Sequence, residues 1–407
     1  MIEVLVIIDN KIRDLWGMKN LITCSQKKNI KIRLVSKYNW KLAIDTFDPE
    51  IVILPNAKSK KVGGKVFIDI LEYIKKKGII SVIFPSEGVN YSSRFLKTLF
   101  PIQSVKKATK FFLWSNKQGR VIKELGFKKK IVVTGTFRFE NHKLKEIKKK
   151  IKVIGFTSSG RYLASRWGRS SFHYISKIFN TPMGKINFTN EVNYLFVLIK
   201  IIEKLSKKNF KIIIKPHPFE SPKIFKILEK FPNVYIEDTN DIRTFLKKID
   251  ILFNQESSAS FNAIKMKIPV INMNKLIDCS KEYKKKVKDY LPSHIGIKVN
   301  DINKVESLLK KYDKTSLYML NEKQKDHLKI LKNFPSMDTS NIMVNELLKL
   351  SKNKISKKNY LKLILFYIKE IYVIFYTRFS IGSNTLYSSL SLKDKKLVQQ
   401  FEINKNN

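Results

Sequence analysis

Short apolar runs rich in isoleucine and valine recur along the chain, separated by amphipathic stretches of helical length. This alternation constrains the fold more than any other feature. In the first half "EVLVIID", "IKIRLVS", "EIVILPN", "GIISVIFPS", "KFFLWS" and "KIVVTG" have strand length and strand composition. Segments such as "VFIDILEYIKKK" and "KQGRVIKELGFK" lie between them with helical spacing of their apolar residues. Apolar runs of this kind predict strands buried on both faces, and an intervening helix supplies the crossover that parallel pairing needs. The chain therefore reads as α/β, a parallel sheet covered by helices.

The alternation pauses at the lysine-rich "FENHKLKEIKKKIK". It resumes with "KVIGFTS", the helical "NEVNYLFVLIKIIEKLSKK", "FKIIIK", "NVYIED", "IDILFNQ" and "IPVINMN". The expected organisation is a Rossmann-like domain over 1–140, a linker over 141–151, a second Rossmann-like domain over 152–345 and a helical tail over 346–407. Residues 164–190 break the pattern and are expected to form a substrate-facing insertion. Two such sheets in tandem predict a central cleft, with ligands beyond the carboxyl ends of the strands.

The formal charge is +46, from 80 Lys and Arg against 34 Asp and Glu, which favours anionic partners. The lysines fall in scattered runs without a basic face, and no nucleic-acid-binding motif accompanies them, so nucleic acid is not expected as a partner. Cys24 and Cys279 stand far apart without nearby histidines, which argues against a disulfide scaffold or a zinc site and fits a reducing cytoplasm. The opening "MIEVLVIIDN" reads as a first strand rather than a secretory leader. In the tail, Lys362, Lys369 and Glu370 interrupt the apolar "YLKLILFYIKEIYVIFYTRF" of residues 360–379, so a spanning helix is not expected. Two readings remain for it: a helix folded back onto the first domain, or a basic interfacial helix on an anionic leaflet.

Three strand ends carry candidate chemistry. After "IISVIF" come Glu87 and Gly88; a carboxylate there can act as general base toward an acceptor hydroxyl, or simply cap the next helix. After "KIIIK" the prolines of "KPHP" fix the backbone around His217, with Lys215 and Pro218 beside it. A histidine so held can donate to a phosphate, or merely stack on its prolines. After "IDILFNQ", Ser257 and Ser258 fall at a turn into a helix, where hydroxyls either bind an anion or cap the helix. Weaker candidates are Arg13 with Asp14, Gly135 with Arg138, the hydroxyls and arginine of "TSSGR" (Ser158, Ser159, Arg161), and Asp238 with Asn240. Asp-x-Asp pairs at a strand end are missing, so metal-independent chemistry is expected. A carboxylate, a histidine and a hydroxyl-lined anion site together suit group transfer from a phosphate-activated donor to an alcohol.

This ordered set resembles the bacterial GT-B glycosyltransferases that use CMP-activated ulosonic acids, including bacterial sialyltransferases and Kdo transferases of capsule and lipopolysaccharide. The correspondence runs through Glu87-Gly88, His217-Pro218 and Ser257-Ser258. The order "DNKIRDLWGMKNLI…FPSEG…FLWSNKQGRVIKELG…VVTGTFRFE…KPHPFES…NQESSASFNAI" is also similar to surface carbohydrate biosynthesis proteins, over about residues 1–275. The resemblance implies the GT-B fold, with Glu87 as base and His217 with the serine pair on the CMP phosphate. It implies a CMP-sugar as donor, no further cofactor, a glycan or lipid-linked glycan acceptor, and a cytoplasmic enzyme peripheral on the inner membrane face. Nucleotide-sugar relatives carry Glu-Ala after the serine turn, where this chain has Asn262-Ala263, which speaks against a UDP-sugar or 2-epimerase reading. The alternatives are a CDP-glycerol or CDP-ribitol phosphotransferase, though its paired histidines would find only His142 in the first half, and a non-catalytic assembly scaffold.

Overall fold

The computed structural model describes residues 2–9, 11–57, 65–86, 88, 96–97, 99–127, 131–137, 140, 151–158, 182–218, 220–239, 241–288, 290–311, 313, 317, 338–351 and 360–379. The chain forms two compact units, one of residues 1–140 with 333–407, the other of residues 141–332.

In the first unit six parallel strands run in the order β2-β1-β3-β4-β5-β6. They are β1 (Ile2–Ile8), β2 (Ile30–Ser36), β3 (Ile51–Leu54), β4 (Ile80–Ile83), β5 (Lys110–Leu113) and β6 (Ile131–Val133). Every residue of β1, β3 and β4 is buried, as expected of strands covered on both faces. The helix Lys65–Lys76 shows how cover forms: Phe67, Ile70, Leu71 and Ile74 repeat at helical spacing and all are buried. The order reverses direction between β1 and β3, the place where loops at the carboxyl ends part and leave room for a ligand.

The second unit holds β7 (Val153–Thr157), β8 (Lys211–Lys215), β9 (Val234–Ile236), β10 (Ile251–Asn254), β11 (Val270–Asn272) and β12 (Ile297–Lys298). These too are parallel, in the order β12-β11-β10-β7-β8-β9, the arrangement of dinucleotide-binding sheets, with its switch point between β7 and β10. Gly155 in β7 is required by packing, because a Cβ there would lie 2.5 Å from Ile249 Cδ1. Asp250 fastens the start of the sheet, its Oδ2 accepting from the backbone N–H groups of Lys152 and Val153, each at 3.0 Å.

The long helix of the second unit spans Pro182–Ser206, so the last part of the expected 164–190 insertion is helical. The rest of that insertion and residues 141–150 of the expected linker, 141–151, lie outside the described residues. The return to the first unit differs from the sequence expectation. The helix Thr339–Leu350, which the expected boundary at 345 divides between the second domain and the tail, belongs whole to the first unit. Its start is bound by Glu140, which accepts from Ser340 N at 2.8 Å and Ser340 Oγ at 2.5 Å. Lys110 reaches Glu346 at 2.6 Å, and the Ser351 hydroxyl donates to the Glu50 carboxylate at 3.0 Å. The helix Tyr360–Phe379 also packs on the first unit, Phe366 meeting Phe47 edge-to-face at 5.0 Å.

Candidate functional site

In the second unit the ends of β7, β8 and β10 converge on a buried polar network. Thr157, last residue of β7, donates its hydroxyl to Asn254 Oδ1 at 2.7 Å, bridging the two strands of the switch point. Asn254 also shapes the turn after β10, accepting from Ser257 N at 3.1 Å and donating to Ser257 O at 3.2 Å. Ser257 Oγ accepts from Ala259 N at 3.2 Å, while Ser258, half-buried at the helix start, makes no side-chain capping bond. A serine pair at this turn thus divides its work. One hydroxyl holds the turn and the other is not used as a cap.

The His217 loop is fixed from beneath. Glu220, fully buried, accepts through Oε2 from the His217 backbone N–H and from the Ser158 hydroxyl. Ser158 Oγ also accepts from His217 N at 2.9 Å, and Glu220 N donates to His217 O at 2.7 Å. Flanking prolines remove two amide donors, so the one amide between them takes the carboxylate. The imidazole stays half-buried. Lys215 is 7% exposed and donates through Nζ to the Thr239 carbonyl, so its charge lies under the loop after β9. Tyr194 closes the floor by donating to Thr157 O. Burial, then the neighbouring Glu220 charge, push its phenol well above the ordinary range.

In the first unit a pocket opens at the switch point, lined by Ile7 and Ile8 at the end of β1, Pro55 after β3, Ser86 after β4, and Trp114 and Thr136. Trp114 is buried and donates through Nε1 to Pro85 O at 2.6 Å, which pins the exit of β4. Gly88 is needed there because a Cβ would fall 2.3 Å from the indole. Gly17 meets Phe137 in the same way, at 2.6 Å.

The structure brings Ser158, Lys215, His217, Pro218, Ser257 and Ser258 to the strand ends around the second switch point, while Asp238 lies exposed after β9. Glu87, Arg138, Ser159, Arg161 and Asn240 lie outside the described residues. Arg13 stands in the helix Lys11–Gln26, with its side chain outside the description. Sequence reasoning did not single out Glu220, Asn254 or Trp114, and took Thr157 only as part of "TSSGR". Only Glu220 left a local signal, an acid three residues after His217 in a loop short of amide donors. Among the described residues no group of three or more His, Cys, Asp or Glu is placed to hold a metal ion.

No protein-family model matches the chain, and no curated protein matches it. Solved structures do. UDP-GlcNAc 2-epimerase from Neisseria meningitidis bound to UDP-GlcNAc matches with TM-score 0.52 and 14% identity, over 86% of this chain and 100% of that one. S. aureus MnaA with UDP matches with TM-score 0.51 and 14% identity, over 88% and 100%. The wall teichoic acid polymerase TagF with CDPG matches with TM-score 0.51 and 12% identity, over 86% and 88%. At these identities the likeness establishes the fold. The chain has the GT-B architecture of two Rossmann-like units with C-terminal helices.

Proposed function

We propose that this chain is an inverting glycosyltransferase that moves a CMP-activated ulosonic acid, of the Kdo or sialic-acid kind, onto a surface-glycan acceptor. The observation that carries the reading is the His217 loop, held by buried Glu220 at the switch point of a sheet with dinucleotide-binding order. In this reading Glu87 takes the proton of the acceptor hydroxyl as its oxygen attacks the anomeric carbon in line. The bond from that carbon to the phosphate oxygen breaks, and CMP leaves with the electron pair. His217, Ser257 and Ser258 donate to the departing phosphate, and Lys215 adds positive charge from below. No metal or further cofactor is assigned. The enzyme works in the cytoplasm on a glycan presented at the inner face of the membrane.

A polyol-phosphate transferase is the second reading, favoured by the likeness to the CDPG-bound polymerase. The UDP-bearing neighbours suggest a third donor. Asn262 weighs against it: buried, with Nδ2 turned back to Ser258 O at 3.4 Å, it is not presented as a ribose ligand.

A thermal-shift panel with CMP, CDP, UDP and GDP on wild type and His217→Ala separates these. A ligand at a hundred times its dissociation constant adds about 2.7 kcal/mol. Stabilisation by CMP alone, lost in His217→Ala, is the expected result. A CDP response of equal size moves the donor to a polyol phosphate, a UDP response to an ordinary sugar, and silence across the panel leaves a scaffold.

A further inference from the structure

The helix Tyr360–Phe379 has two faces with opposite fates. Phe366 and Glu370 are buried against the first unit, and Leu363 packs on the same core. Thr46 Oγ1 donates to the Lys362 carbonyl at 3.1 Å and fixes the helix there. On the other side Leu361, Ile364, Leu365, Ile368, Ile371 and Tyr372 follow each other at three- and four-residue steps and are 48–70% exposed. Half of the large apolar side chains exposed among the described residues lie on this one helix. A stripe so continuous marks an interaction surface rather than scattered surface apolarity.

Charge decides the occupant. Lys362 and Lys369, seven residues apart and both exposed, lie where the packed face meets the apolar one. In the sequence Lys352, Lys354, Lys357 and Lys358 stand just before the helix. Two copies of a chain carrying +46 repel, whereas an anionic lipid surface is drawn to the lysines and accepts the apolar stripe. No described helix is long and apolar enough to cross a membrane, so the helix lies along the surface.

We propose that the outward face of residues 360–379 docks the protein in the plane of an anionic bilayer, with Leu361, Ile368 and Ile371 in the acyl boundary and Lys362 and Lys369 at the headgroups. This surface is independent of the donor reading, and its test needs no nucleotide. The full chain is sedimented with phosphatidylglycerol vesicles and with phosphatidylcholine vesicles at two salt concentrations. Wild type is expected to bind the anionic vesicles and to weaken with salt. Ile368→Glu with Ile371→Glu, and separately Lys362→Glu with Lys369→Glu, each weaken binding roughly tenfold or more. A third variant, Ile368→Trp, keeps the face apolar, and its emission shifts to the blue on adding anionic vesicles. The proposal is overturned if wild type ignores the vesicles, if the glutamate variants bind as wild type does, or if the Trp emission stays put. A wild-type dimer that Ile368→Glu with Ile371→Glu turns into a monomer, without vesicle binding, overturns it in favour of a second copy.

Discussion

Glu220 shows how much of the candidate site rests on one carboxylate. His217 N–H and the Ser158 hydroxyl both end on its Oε2, and Glu220 is fully buried. Truncation to alanine takes the acceptor from the Ser158 hydroxyl and leaves the His217 amide only Ser158 Oγ at 2.9 Å, and a buried orphan costs about 1–3 kcal/mol. Glu220→Ala is therefore expected to lower the urea midpoint substantially, and by more than His217→Ala, which removes a half-buried imidazole and keeps the backbone and Glu220. Equal midpoints for wild type and Glu220→Ala would mean that the loop holds its shape without the acid. Cys279 illustrates the opposite case, a buried polar group of structural character. Its thiol meets Asn190 Oδ1 at 2.8 Å, and burial, assisted by Glu256, pushes its pKa up to about 11.

Among elements, the helix Tyr360–Phe379 is anchored to the first unit at Phe366. Phe366 is 2% exposed and sits edge-on to Phe47, whose own ring carries the Arg33 guanidinium 4.2 Å from its centroid. Phe366→Ala leaves a cavity that the neighbouring ring cannot fill, at a cost of about 3–5 kcal/mol for a buried phenylalanine. Protease release of residues beyond 351 should accelerate in the variant, followed by gel shift over time. Cleavage at the wild-type rate would mean that the helix is held by something other than this contact. Elsewhere the elements follow their local pattern: the N-cap Ser115 accepts from Gln118 N at 3.3 Å and starts the helix Asn116–Glu124 at the stretch of helical spacing that the sequence showed from Lys117.

For the molecule as a whole, the first unit is discontinuous, and Glu140 joins its two segments. Burial raises the Glu140 carboxyl above its ordinary 4.5, against the lowering effect of the Ser340 hydroxyl and amide and of Asn20. The folded state therefore keeps the proton where the unfolded chain releases it. The contribution to stability is complete below pH 4.5 and is lost as pH rises through the raised value. Glu140→Gln does not titrate. The difference in unfolding free energy, wild type minus variant, should fall as pH goes from 4 to 7, measured by urea titration at each pH. A flat difference would show that Glu140 titrates normally.

Local patterning made most strands of both sheets, and the α/β class, legible in the sequence alone. "IKIRLVS" became β2 residue for residue, and "KIIIK" became β8, because apolar periodicity is a property of neighbours in the chain. It also placed His217 and the serine pair after strands. β12 escaped, at two residues too short to show a period. Strand order was decided only by the tertiary structure. That β10 lies beside β7, so that Asn254 meets Thr157, depends on how helices far apart in sequence pack over the sheet. The same holds for Ser158 with Glu220, 62 residues apart, and Glu140 with Ser340, 200 apart. Such pairs leave no local periodicity to read, since each is set by the closure of a long loop whose entropy only the packed core offsets.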